Sequence, residues 1–300
     1  MICKPLNIKY LLISFFLLLH VSTLYADSEL APLPNTINAY LQANLEQRLK
    51  QLGLSDAASQ KKLAITLIDI TDVDQPRVAS VNGNTMMYAA SLPKIAILLG
   101  AFERIEQGDI TLDDEFRDLL TQMIRFSSNK AATEVFNRVG KQYLANLLQS
   151  PRYHLYDKTN NGGLWVGKEY GKGGAWKRDP LHNLSHGATS FQAARFYYLL
   201  ETGQLVSPAL TKEMKEILSK PGIAHKFVKG LKAEHPEAEI YRKSGSWKQW
   251  HADSALIEHD GHSYIAVALA EDPRGGQWLS ELIVAFDELI VEPAPLAFLH

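Results

Sequence analysis

Three short motifs in this chain carry the side chains that an acyl-transfer reaction needs. They are Ser91-Leu92-Pro93-Lys94, Ser127-Ser128-Asn129 and Lys243-Ser244-Gly245, in that order. Together they supply a hydroxyl nucleophile, an amine to activate it, a second serine to relay a proton, and a lysine on a strand edge. The motifs therefore predict a site where an acyl group is transferred to a serine.

Ser91 is the predicted nucleophile and Lys94 its predicted base. A Ser-x-x-Lys string arises by chance about once in a chain of this size, and a helix-capping serine beside a solvated lysine would explain an isolated match. Here Ser91 is predicted to open a helix, whose free N–H groups favour negative charge near its oxygen. A lysine is a base only when its amine is neutral, and we expect burial and a second cation, Lys243, to lower the pKa of Lys94.

The other two motifs are predicted to handle the substrate. Ser127 would pass the proton to the leaving nitrogen, and Asn129 would hydrogen-bond to the substrate's amide. Lys243 and Ser244 would hold the substrate's carboxylate. Gly245 would allow the substrate to lie close against the strand, because it has no side chain to fill the cleft.

The backbone N–H groups of Ser91 and Ser246 are predicted to form an oxyanion hole. Other interpretations of the motifs stay open, because residues 127–129 could merely cap the next helix and residues 243–245 could be an ordinary strand end. The occurrence of all three motifs in this order favours the catalytic interpretation.

The motifs resemble those of the serine β-lactamase and penicillin-binding protein superfamily, most closely the class A β-lactamases. The resemblance covers nearly all of the chain after residue 26 and includes Lys130-Ala131-Ala132, which follows the second motif. It implies an exported serine hydrolase that forms an acyl-serine intermediate, without metal or cofactor. The implied reaction is β-lactam hydrolysis, and the alternatives are a D-Ala-D-Ala carboxypeptidase or esterase, or a penicillin-binding sensor that acylates without turnover.

The chain departs from the family pattern at the position that deacylates the enzyme. Class A enzymes have a Glu-x-x-Leu-Asn string whose glutamate activates the attacking water, and the nearest string here is Asp-Pro-Leu-His-Asn, beginning at Asp179. Asp179 is therefore the candidate deacylation base, with a loop-tethering role as the alternative. His182, His186 and Glu169 are further candidates. In addition, Ser128 replaces the family's common aspartate, and the first two motifs are closer together than in class A enzymes.

Apolar periodicity places the motifs in an α/β (α+β) fold. Strands and helices at both ends of the chain predict an antiparallel sheet flanked by N- and C-terminal helices, with a helical lobe of about residues 91–220 inserted. The glycine-rich stretch 151–187 is predicted to be a functional loop. Helices are predicted over about 36–52, 91–107, 114–126, 129–139, 190–202, 208–219 and 276–291, and strands over 63–70, 77–81, 239–246, 254–258 and 263–270.

Residues 1–26 are predicted to be a signal peptide, because Lys4 and Lys9 precede an apolar run that is short for a bilayer. An uncleaved anchor is the alternative. We therefore expect residues 27–300 to form one secreted or periplasmic domain. The single cysteine, Cys3, would leave with the signal, which excludes disulfides and thiol nucleophiles from the domain.

Composition limits the partners. A formal net charge of −2 gives no reason to expect nucleic acid. We expect a monomer without stable membrane insertion, acting on a small-molecule β-lactam or a cell-wall peptide. His251, His259 and His262 straddle a predicted hairpin and match no zinc-hydrolase string, so they are expected to be ordinary core or surface histidines. Arg274 could help to hold a substrate carboxylate.

Overall fold

A central antiparallel sheet organises the chain. The computed structural model describes residue 33 and residues 37–292, which fall within the unit Ala31–His300. The predicted signal peptide lies outside the described residues. The strands are β1 (Leu63–Asp69), β2 (Arg77–Val81), β3 (Met87–Tyr88), β4 (Tyr156–Asp157), β5 (Gly162–Gly163), β6 (Trp165–Val166), β7 (His186–Ala188), β8 (Glu239–Trp247), β9 (Trp250–His259) and β10 (His262–Glu271).

The helices cover both faces of this sheet. They are α1 (Ala39–Gln51), α2 (Ser55–Ser59), α3 (Lys94–Glu106), α4 (Asp114–Ile124), α5 (Asn129–Val139), α6 (Lys141–Leu148), α7 (Ser190–Glu201), α8 (Pro208–Leu218), α9 (Phe227–Glu234) and α10 (Gly275–Val291). None of these described helices is long and apolar enough to cross a membrane.

The main sheet has the order β2-β1-β10-β9-β8, with antiparallel neighbours throughout. Alternate residues of β1 enter two separate cores, as the two-residue period of a strand requires. Ile65 and Leu67 pack with α1, α9 and α10, whereas Ala64 and Ile68 pack with the helices of the other layer. Because β8 is the edge strand, one side of its backbone is left for another segment or a ligand.

Several helices begin at side-chain caps that satisfy their first free N–H groups. Asp113 accepts a hydrogen bond from the Phe116 N–H at 2.8 Å at the start of α4, and Ser128 accepts one from the Ala131 N–H at 3.2 Å at the start of α5. Gly140, with φ 94°, ends α5, as its position in the sequence predicts. The capping interpretation of the second motif thus holds for Ser128.

The structure confirms the predicted fold and refines several boundaries. The predicted strand at 77–81 matches β2, and the turn at Asp260 and Gly261 joins β9 to β10 with φ values of 46° and 75°. The predicted helix at 91–107 begins later, at Lys94. Sequence periodicity missed α2, α6 and α9, together with the short strands β4 to β6 within the stretch 151–187.

The packing of α9 against α10 yields a prediction about stability. A Cβ atom on Gly230 would lie 2.1 Å from the Ser280 carbonyl oxygen, so we expect Gly230→Ala to lower the free energy of unfolding by about 1–3 kcal/mol. Gly276→Ala, also in a helix, would place its Cβ no closer than 3.5 Å to the His251 ring and is the matched control. Urea denaturation of both variants measures the difference, and equal stability would contradict the close packing.

Candidate active site

Ser91 lies in a tight turn between β3 and α3. Ala90 adopts φ 49°, and the Leu92 N–H then bonds to the Ala89 carbonyl at 3.0 Å. The Lys94 N–H bonds to the Ser91 carbonyl at 3.3 Å. Hydrogen bonds between residues three positions apart, as in a 3₁₀-helix, therefore lead into α3. Ser91 therefore stands three residues before the first residue of α3, and not at the start of the helix as predicted.

Strand β8 lies directly against this turn. A Cβ atom on Gly245 would be 2.1 Å from the Ala89 carbonyl oxygen and 2.8 Å from the Ser91 nitrogen. Only a residue without a side chain permits this approach. The first and third motifs, which are far apart in the sequence, are thus brought into contact as predicted.

The Lys94 amine is buried among oxygen acceptors. Its Nζ donates hydrogen bonds to the Ser127 carbonyl at 2.6 Å and to Asn129 Oδ1 at 2.9 Å, and Ser127 Oγ lies at 3.3 Å. None of its hydrogen bonds with described residues goes to Ser91. Burial lowers the pKa of Lys94 to about 7, so a large fraction of the amine is neutral at neutral pH.

The Ser127 hydroxyl joins the two motif lysines. Lys243 Nζ donates a hydrogen bond to Ser127 Oγ at 2.9 Å, and Lys94 Nζ approaches the same oxygen. A hydroxyl has two acceptor lone pairs and one hydrogen, so two amine donors leave its hydrogen available for a third group. This arrangement suits a serine that hands a proton to a leaving nitrogen. Ser127 has φ 56°, a strained conformation that aims its side chain into the site.

Lys243 is also fully enclosed. Burial lowers its pKa well below the usual range, and the nearby Lys94 and Arg242 charges lower it further. Since two like charges disfavour each other in a buried site, protonation of either lysine opposes protonation of the other. The structure places Lys243 against Ser127 and near Lys94, but the lowered pKa of Lys94 comes from burial rather than from the predicted charge on Lys243.

Asn129 and the backbone complete the substrate side of the site. Asn129 Oδ1 accepts the hydrogen bond from Lys94, so the amide nitrogen is not used by this contact. The Ser91 N–H has no acceptor among the described residues, which leaves it free for an oxyanion. A cavity of about 260 Å³ beside it is lined by Tyr88, Ala90, Ser91, Asn129, Lys168, Glu169, Tyr170, Gly171, Ser185, His186, Ser246 and Trp247.

Residues outside the motifs support the end of β8. Lys226 Nζ donates to the Gly245 carbonyl and to Ser246 Oγ, and burial lowers the pKa of Lys226 to about 8. His225 Nε2 lies 3.2 Å from Ser244 Oγ. Sequence reasoning missed both Lys226 and His225, because their role depends on a tertiary contact with β8 and no spacing in the sequence signals it.

Tyr170 fills the space beside the Lys94 amine. Lys94 Nζ lies 4.5 Å from the centre of the Tyr170 ring, and the ring stacks on His186 at 4.3 Å. His186 Nδ1 is buried without a hydrogen-bond partner among the described residues. Burial lowers the pKa of His186 to about 3, with a contribution from the Lys168 and Lys94 charges, so its ring is neutral.

The structure does not bring Asp179 to this cavity. Its Oδ1 accepts hydrogen bonds from the Tyr156 hydroxyl at 2.8 Å and from two backbone N–H groups, and its Oδ2 accepts from the Leu184 N–H at 2.7 Å. These contacts favour the loop-tethering alternative over a role as a base. Glu169 is the one carboxylate among the described residues that line the cavity, and it pairs with Lys141, whose hydrogen bond lowers the pKa of Glu169. Arg274 is mostly exposed and pairs with Asp272 outside the cavity.

A comparison with models of protein families identifies the family of this chain. The model of the β-lactamase enzyme family matches residues 44–117 and 115–286. The chain belongs to this family. No curated protein matches the chain.

Solved structures of other proteins share the fold of this chain. A β-lactamase from Sphaerobacter thermophilus is 16% identical with a TM-score of 0.64, covering 81% of this chain and 98% of that one. PBP-A is 17% identical with a TM-score of 0.63, covering 84% and 98%. A point mutant of PBP-A, solved as an acyl-enzyme complex with penicillin G, is 19% identical with a TM-score of 0.63, covering 82% and 97%.

The contact between β8 and the Ser91 turn yields a prediction about acylation. Gly245→Ala would push the strand away from the turn, and a displacement of about 1 Å can cost about a hundredfold in rate. We expect the second-order rate of acylation by benzylpenicillin, followed by intact mass, to fall by about that factor. Gly173→Ala, in open space outside the cavity, should acylate at the unaltered rate, and equal rates in both variants would contradict the geometry.

The lowered pKa of Lys94 yields a prediction about pH. With the neutral Lys94 amine as the predicted base, the acylation rate should rise about tenfold per pH unit below pH 7 and level off above it. Lys94→Arg should abolish this rise, since arginine keeps its proton across the range. Stopped-flow measurement from pH 5 to 9 provides the profile, and a wild-type rate that still rises steeply above pH 8 would be inconsistent with a base of pKa about 7.

Proposed function

We propose that this protein is a serine hydrolase that opens β-lactams by acylation of Ser91 and then hydrolyses the acyl-enzyme slowly. The observation that supports it most is the hydrogen-bonded set of Lys94, Ser127 and Lys243, which holds a neutral amine and a proton-relaying hydroxyl beside the Ser91 turn. Ser91 would be the nucleophile, Lys94 its base and Ser127 the donor to the leaving nitrogen.

The charge around the site favours a substrate that carries a carboxylate. Lys94, Lys243 and Lys226 are all buried near β8, and the neighbouring buried carboxylate of Asp253 is already paired with Arg242 at 2.7 Å. Burial disfavours the charged amines of Lys243 and Lys226, and an anionic group bound here would stabilise their protonated forms. β-Lactams and peptides that end in a free carboxylate share that feature, and the exposed edge of β8 can pair with an extended substrate.

The surroundings of Lys94 favour slow deacylation. Deacylation needs a base that activates water, whereas Tyr170 lies against Lys94, Asp179 is engaged by four donors, and Glu169 is paired with Lys141. The acyl group would then leave Ser91 slowly. This observation also favours a second candidate function, that of a penicillin-binding protein or sensor whose acyl-enzyme persists. A carboxypeptidase would instead release D-alanine from a peptide.

We also propose that the protein is exported. The support is the sequence pattern of residues 1–26, with its two lysines, apolar run and cleavage site. Sequencing of the N-terminus of the protein recovered from the cell envelope tests this, and an intact Met1 there would favour the uncleaved anchor.

Reaction with nitrocefin tests the proposed function. We expect a burst of product equal to one equivalent of enzyme, because acylation outpaces deacylation, followed by slow steady turnover. Intact mass should show one adduct per chain with benzylpenicillin. Ser91→Ala should give neither burst nor adduct.

The outcomes separate the candidate functions. Fast steady turnover without a burst would indicate an efficient β-lactamase that has a base for deacylation. Appearance of the burst in the Glu169→Gln variant would then identify Glu169 as that base. An adduct without turnover would support the sensor or penicillin-binding protein. Absence of any adduct in the wild-type protein, with Ser91 intact, would reject β-lactam acylation.

A further inference from the structure

A second cluster of ligating side chains lies at the other end of the sheet from Ser91. It comprises His235 at the C-terminal end of α9, His259 at the end of β9 and Asp287 in α10. His259 is seven residues along β9 from Ala252, the partner of Gly245, which corresponds to about 23 Å. The cluster is therefore separate from the acyl-transfer site.

Three ligand atoms converge in this cluster. Asp287 Oδ2 is 2.9 Å from His259 Nδ1 and 3.5 Å from His235 Nε2, and one ligand atom from each residue lies within 4.8 Å of the other two. Ligand atoms around a tetrahedral zinc ion are about 3.3 Å apart, given zinc–ligand distances near 2 Å. Small side-chain rotations would reach that spacing.

The hydrogen bonds around the cluster leave these atoms pointing at one another. The Tyr264 hydroxyl donates to Asp287 Oδ1 at 2.7 Å, and His259 Nδ1 lies 3.0 Å from that oxygen and 2.9 Å from Oδ2. His259 Nε2 faces Glu237 Oε1 at 2.9 Å. A carboxylate behind the second ring nitrogen is the arrangement that orients metal-binding histidines and selects their tautomer.

His259 has more carboxylate contacts at its ring nitrogens than a neutral imidazole has N–H groups. A neutral imidazole carries one N–H, but His259 faces a carboxylate oxygen with both of its ring nitrogens. If Nε2 donates to Glu237, a lone pair on Nδ1 is directed at Asp287 unless a proton or a metal ion lies between them. No lysine or arginine among residues 37–292 forms an ion pair with Asp287 or Glu237, and within that range only His235 and His259 lie at ion-pair distance from them.

We propose that His235, His259 and Asp287 bind a divalent transition-metal ion, and zinc in particular. Two imidazoles and one carboxylate suit zinc better than magnesium or calcium, which prefer oxygen ligands. His259 and Asp287 are buried, whereas the side chain of His235 is 35% exposed, so an ion can enter from the His235 side and keep a water molecule there. The ion would tie α9, β9 and α10 together.

Zinc titration of the untagged full chain tests the proposal. After treatment with EDTA and its removal, we expect the wild-type protein to bind one equivalent of zinc by calorimetry and elemental analysis. The melting temperature should rise by about 5 °C at a zinc concentration a hundred times the Kd. His235→Gln should lose both effects, because it keeps a polar side chain but removes one imidazole ligand.

His262→Ala is the matched control, since His262 lies in the same hairpin but outside the cluster. It should bind zinc as the wild type does. If His235→Gln does not fold, visible absorption of the cobalt-loaded wild type decides, because tetrahedral coordination gives intense bands. Zinc uptake that persists unchanged in His235→Gln would overturn the proposal. A wild-type protein that binds no zinc, and is stabilised only by lowering the pH, would overturn it as well.

Discussion

The hydrogen bonds that join the Ser127 hydroxyl to two buried lysine amines are the interaction on which the site depends. They connect a helical segment to the edge strand β8, over a sequence separation of more than a hundred residues. Enclosure of two amines without a carboxylate partner disfavours the doubly protonated state. The site therefore retains a neutral amine at neutral pH, which is the property that a serine nucleophile needs from its base.

The scaffold holds this arrangement through the end of β8. Arg242 and Asp253 form a buried two-point ion pair across β8 and β9, and Asp253 also accepts a hydrogen bond from the Phe227 N–H at the start of α9. Lys226 bonds to the Gly245 carbonyl from the same segment. Because these contacts fix the strand, Gly245 can lie against the Ser91 turn without a gap. The lysines buried there, whose protonated forms a bound anion would stabilise, are the physical basis for the proposed anionic substrate.

Much of the fold could be predicted from local patterns. Alternation and branched residues located β1 and β2, the Asp260 and Gly261 pair located the last hairpin, and helical periodicity located α5. Motif order was enough to predict that the Ser91 turn lies against the strand that carries Lys243. The short helix α9 and the support from Lys226 could not be predicted, because they depend on contacts between distant segments. The position of Tyr170 beside Lys94 could not be predicted either, because it follows from the path of a long loop. The hydrogen bonds that engage both oxygens of Asp179 likewise form only when that loop is folded.

The titration of the Lys94 amine tests the central claim most directly. NMR of protein labelled with ¹³C at the lysine Cε follows each amine through its own pKa, and the Lys94→Arg variant assigns the Lys94 signal. A resonance that titrates at about pH 7 and vanishes in that variant is the expected result. A Lys94 signal that titrates near 10.4, as an ordinary lysine does, would contradict the presence of a neutral base at this site.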